Sequence, residues 1–216
     1  MSARAVVFDL DGTLVDSAPD IRAAANRMLA EWGAEPLDLA TVISFIGNGI
    51  PQLVAQARRA RALPEAEEAE MIARMLDHYT ARPADLSRPY PGVEAALAAL
   101  GSAGVRLGVC TNKFHAPAMQ ILDALALTPF FEVVIGGDSL PRRKPDPEPL
   151  EAAFAALGGA GVFVGDSEVD SETAARAGRP FVLFAHGYRK SPLAALPHSA
   201  LLEDFSALPE VIAGLG

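Results

Sequence analysis

Two carboxylates, Asp9 and Asp11, close an apolar run and are followed by Gly12-Thr13. Acids this near each other repel, and both lose hydration when buried, so they are tolerated beside a metal or a lysine. Three later stretches offer suitable company. Thr111-Asn112-Lys113 follows an apolar run and brings a hydroxyl and an amide that can hold a phosphate oxygen. Lys144 precedes Pro145-Asp146-Pro147, which sets a cation and a helix N-terminus toward one anion. Asp166 and Asp170 lie four apart across a helix start, a spacing at which both face one point. Each stretch by itself reads as ordinary structure: a solvated turn, a loop, a basic bend, an acidic first helical turn. Independent decoration would rarely give the whole set, since a parallel sheet brings its strand ends to one edge.

In order and residue type the set resembles the four motifs of the haloacid dehalogenase superfamily, in its phosphatase branch. The matching residues are Asp9 and Asp11, Thr111, Lys144, and Asp166 with Asp170. Tyr90-Pro91-Gly92-Val93, Thr111-Asn112-Lys113, Lys144-Pro145-Asp146-Pro147 and His186-Gly187-Tyr188 look most like the phosphoglycolate phosphatases. The resemblance implies Asp9 as nucleophile, Asp11 as proton donor and acceptor, and Thr111, Asn112 and Lys144 on the phosphoryl oxygens. It implies Mg2+ held by hard oxygen ligands from Asp9, Asp11 and Asp166, with Asp170 orienting the metal's surroundings and Lys144. The substrate implied is a small phosphorylated metabolite, 2-phosphoglycolate first. Arg22, Asn48, the Gly49 amide and Tyr188 are candidates for its carboxylate. A sugar-phosphate phosphatase or phosphoglucomutase shares the same core. A non-catalytic phosphate-binding regulator is a third reading, against which the intact acid pair weighs. The four histidines, His78, His115, His186 and His198, are read as non-catalytic.

These residues need elements to hold them. Val6-Val7-Phe8 reads as a short buried strand. From about 17 to 80 the pattern is helical. Ile21, Ala25, Met28 and Leu29 recur at helical spacing, and shorter helices follow around Leu39–Ile46, Leu53–Ala57 and Pro64–Tyr79. After the Pro-rich connector ending at Pro91-Gly92, strands near 105–110, 131–135, 162–164 and 181–184 alternate with helices. That alternation implies βαβ units. The fold expected is α/β, a Rossmann-like parallel sheet with helices on both faces, plus a small inserted helical cap. Residues 1–16 and 86–216 form the core and 17–85 the cap, joined by short linkers near 14–16 and 81–89.

The 216 residues carry a net charge of −9, which argues against nucleic acid and anionic membranes as partners. Cys110 is the only cysteine, so no intrachain disulfide forms, and its apolar setting suggests a buried thiol in a reducing compartment. The expectation is a cytoplasmic protein, monomer or homodimer, without signal peptide or membrane span.

Overall fold

The computed structural model describes residues 5–215. Its centre is β1 (Ala5–Phe8), entirely buried. Side chains alternate across a strand, so Val6 and Phe8 enter one hydrophobic cluster while Ala5 and Val7 enter another on the opposite face. A strand buried on both faces must be apolar throughout, as this one is.

The other strands are β4 (Arg106–Cys110), β5 (Val133–Ile135), β6 (Val162–Gly165), β7 (Phe181–Phe184) and β8 (Ala200–Leu202). With β1 they form a six-stranded sheet in the order β5-β4-β1-β6-β7-β8, every neighbouring pair parallel. The chain builds outward from β1 through β4 to β5, then returns to the other side of β1 for β6. This reversal leaves a crevice at the carboxyl end of β1, the place where open α/β sheets bind ligands. Helices α5 (Val93–Ser102), α6 (His115–Ala124) and α9 (Leu208–Gly214) cover one face, while α7 (Glu148–Ala156) and α8 (Glu168–Arg176) cover the other.

Between β1 and α5 lie α1 (Ala18–Glu31), α2 (Leu39–Phe45), α3 (Gly49–Ala60) and α4 (Glu68–Thr80). They enclose a hydrophobic cluster of their own around Met28, Leu29, Val54, Met71, Met75 and Tyr79. Asp38 caps α2 by accepting a hydrogen bond from the Thr41 amide. Among the described residues, no helix is long and apolar enough to cross a membrane.

Three local features qualify this picture. The short linkers flanking the helical insertion pair with each other as strands: β2 (Val15–Asp16) runs antiparallel to β3 (Arg88–Pro89). The expected strand at 131–135 starts only at Val133, because Thr128-Pro129-Phe130 winds into a 3-10 turn. Ser17 occupies the N-cap position of α1 but does not cap it, since its hydroxyl is engaged elsewhere.

Candidate active site

Asp9 is the first residue after β1, and its amide still donates to the Val164 carbonyl at 2.9 Å. The side chain is therefore fixed beside β6. The next residues fold tightly: the amides of Thr13, Leu14 and Val15 all donate to the Leu10 carbonyl. Gly12 takes φ +88°, and a Cβ there would stand 2.7 Å from an Asp166 oxygen, so only glycine fits.

This turn aims Thr13 at Asp166, to which its hydroxyl donates at 2.7 Å. The Tyr188 amide donates to the other Asp166 oxygen at 2.6 Å. Asp166 and Ser167 follow β6, and Ser167 and Asp170 form a reciprocal capping box at the start of α8. One Asp170 oxygen accepts from the Ser167 amide and hydroxyl. The other accepts from the Lys144 ammonium at 2.7 Å. Lys144 reaches this point from the loop before α7 rather than from a strand end, and its Nζ also lies 2.9 Å from Asp9 Oδ1.

Lys144 is not the only lysine that opposes the carboxylates. Lys113 donates to both Asp11 oxygens, at 2.8 and 3.0 Å, and its side chain is 3 % exposed. The Ser17 hydroxyl donates to Asp11 Oδ1 at 2.5 Å. Burial works against both lysine charges, but Asp170 and Asp9 around Lys144, and Asp11 beside Lys113, outweigh it and raise both pKa values. Burial pushes the Asp9 carboxyl up to about 7, with Lys144 pulling the other way. Burial, reinforced by Asp170 and Asp9, holds Asp166 well above the usual carboxylate range. Burial also pushes the Cys110 thiol up to about 12, as expected of an inert core cysteine.

Asp9, Asp166 and Asp170 each offer an oxygen within 4.8 Å of the others. Asp9 Oδ1 is buried without an aligned hydrogen-bond donor. Clustered carboxylates whose ionisation is opposed by burial are what a divalent cation would relieve, and an all-oxygen donor set suits a hard ion. The residues present therefore fit a metal of the magnesium class.

Thr111 and Asn112 follow β4. Asn112 Nδ2 donates to the carbonyls of Gly47, at 2.9 Å, and Lys144, at 3.0 Å, tying the helical insertion to the sheet edge. The cleft between them has a polar floor of Asp9, Asp11, Thr111, Asn112 and Lys113 and a largely apolar roof that includes Ile21, Ile50, Leu53, Met75 and Tyr79.

Seven sequence candidates thus converge: Asp9, Asp11, Thr111, Asn112, Lys144, Asp166 and Asp170. Gly49 lines the cleft, but Arg22 and Asn48 do not. Ile21 faces the cleft, and the next helical residue turns about 100° away; the Arg22 charge is felt instead by Asp38. Asn48 occupies the N-cap position of α3, between two lining glycines. The Tyr188 hydroxyl points to the linker, donating to Asp16 at 2.6 Å and accepting from the Ala18 amide at 2.9 Å. Lys113, Ser17 and Thr13 were missed as side chains. The available signal for Lys113 was a third polar residue after β4, ahead of any helix.

Residues 6–184 match the family model described as haloacid dehalogenase-like hydrolase. The chain is 52 % identical to a phosphoglycolate phosphatase of Cereibacter sphaeroides, over 96 % of both chains. It is 44 % identical to one of Rhodobacter capsulatus, over 98 % of both. A crystal structure described as a predicted phosphoglycolate phosphatase from Haemophilus somnus 129PT superposes with a TM-score of 0.93 at 31 % identity, covering 98 % of each chain.

Proposed function

We propose, from the premise that this chain belongs to the haloacid dehalogenase-like hydrolases, that it is a phosphatase of a small metabolite, 2-phosphoglycolate. The relatives that share its full length carry that activity in their names. The observation that carries the catalytic reading is the Lys144 ammonium, 2.9 Å from Asp9 and 2.7 Å from Asp170. It sets a cation beside a buried carboxylate at the open end of the sheet.

In this reading Asp9 attacks phosphorus through a carboxylate oxygen. The ester P–O bond breaks, and Asp11 gives a proton to the leaving oxygen. Asp11 then takes a proton from water, whose oxygen attacks the same phosphorus and returns Asp9 to its carboxylate. Lys144 and the Thr111 hydroxyl face the phosphoryl oxygens, where charge builds up in both steps. Asp170 keeps Lys144 in place. Asp9, Asp166 and the Asp11 carbonyl would hold Mg2+, with Asp170 behind them; the ion would neutralise charge on the phosphoryl group. The helical insertion, residues 17–85, acts as the cap that closes over the substrate and excludes water.

The test is a panel of phosphorylated metabolites ranked by kcat/KM, with Mg2+ and with EDTA. 2-Phosphoglycolate ranks first and EDTA abolishes turnover. A sugar phosphate at the head of the list replaces the substrate assignment, and no hydrolysis of any member overturns the enzyme reading.

A further inference from the structure

Lys113 is the one cationic side chain lining the cleft among the described residues. The roof above it is largely hydrocarbon. Its ammonium also lies 4.4 Å from the centre of the Tyr79 ring, and the Tyr79 hydroxyl is buried with no aligned hydrogen-bond partner. Neither fact is accounted for by phosphoryl transfer, which already has Lys144. A buried ion pair costs desolvation and is weak evidence of a stabilising role. A buried hydroxyl without a partner forfeits hydrogen-bond energy.

The position of Lys113 suggests what both groups await. Asp11 stands where the leaving oxygen of the ester must lie. A group now touching Asp11 is therefore beside that oxygen. In 2-phosphoglycolate the carbon bonded to this oxygen carries the carboxylate. Placing that anion under an apolar roof without a cation would be prohibitive. Arg22 is turned away, and Lys144 is held between Asp9 and Asp170. Lysine has a flexible four-carbon stem and three donors, so it can change partners without moving the backbone.

We infer that Lys113 is the specificity-determining residue of the cleft, exchanging Asp11 for the carboxylate of the substrate while the Tyr79 hydroxyl donates to the same group. The inference rests on the 2-phosphoglycolate reading and adds the residues that read the acid. Preference among esters then comes from one residue after β4 and one on α4, a helix of the insertion.

The experiment compares kcat/KM for 2-phosphoglycolate and for ethyl phosphate, which lacks the carboxylate. Wild type, Lys113→Met, Lys113→Arg and Tyr79→Phe are measured. Wild type prefers 2-phosphoglycolate. Lys113→Met lowers that preference by about 100-fold, chiefly through KM, as expected when a buried anion loses its cation. Lys113→Arg keeps part of the preference, and Tyr79→Phe lowers it by about tenfold. A merely structural Lys113 would depress both substrates together; an unmoved ratio in a wild type that does prefer the acid overturns this inference alone. A wild type without the preference overturns it together with the substrate reading. Should Lys113→Met fail to fold, the ratios of Lys113→Arg and Tyr79→Phe decide, and two unmoved ratios overturn the inference.

Discussion

At the scale of single residues, the proposed mechanism gives the two acids of the opening motif separable tasks. In Asp9→Asn an amide replaces the nucleophile, so turnover of every substrate is lost. Asp11 matters differently. Its proton is needed to expel an alkoxide, whereas p-nitrophenolate leaves unaided. Asp11→Asn should release a burst of about one p-nitrophenol per site, then turn over slowly, because the second step lacks a base contributing about 100- to 10,000-fold. Rapid mixing reads the burst, and acid quenching traps phosphate on Asp9. No burst is expected with 2-phosphoglycolate. Equal loss of the first step for both substrates, with nothing trapped, refutes this division of labour. Lys113 shows why part of the site escaped sequence reading. Asp9 and Asp11 announce themselves by adjacency, but the Lys113–Asp11 pair joins residues 102 positions apart. Nothing local records such a pair.

At the scale of elements, β1 was legible because a strand buried on both faces is apolar at every position. The β2–β3 ribbon was not, since two residues on each side carry no periodicity and Pro89 argues against a strand. A carboxylate on α1 braces the chain just ahead of β3. Asp20, 4 % exposed, accepts from the amides of Leu86 and Ser87 and from the Ser87 hydroxyl. The first helix of the insertion is thereby fastened to the returning strand. Asp20→Ala leaves the buried Ser87 donors and the partly buried Leu86 amide unpaired and should cost about 1–3 kcal/mol, read as a lower urea midpoint. Amide exchange at Leu86 and Ser87 should accelerate with it. A midpoint within error of wild type would show that water replaces the carboxylate at no cost.

At the scale of the whole molecule, the buried carboxylates couple stability to pH and, through the proposed metal site, to a divalent cation. The Asp9 carboxyl, raised from 3.8 to about 7, keeps its proton more readily folded than unfolded. Its contribution to stability is therefore full at low pH and is lost as pH rises through about 7. Asp166 is shifted in the same direction. A divalent cation bound by the ionised carboxylates opposes this loss. The difference in melting temperature between Mg2+ and EDTA should widen from about pH 5 to about pH 8. A gap that stays constant or narrows would count against metal binding at these groups.

The pairing of Val15-Asp16 with Arg88-Pro89 has one more consequence. Where the chain departs for its four-helix excursion and where it comes back are neighbours, about 5 Å apart, as paired strands must be. To the sheet, everything between is a single surface loop, however many helices it holds. Such a segment is a cassette with a single point of entry, held further by Asn112 at Gly47 and by Tyr188 at Ala18. Exchanging it whole with the corresponding segment of a relative should carry over what the roof contributes to substrate choice, while the recipient keeps its chemistry and whatever preference Lys113 supplies from the sheet edge.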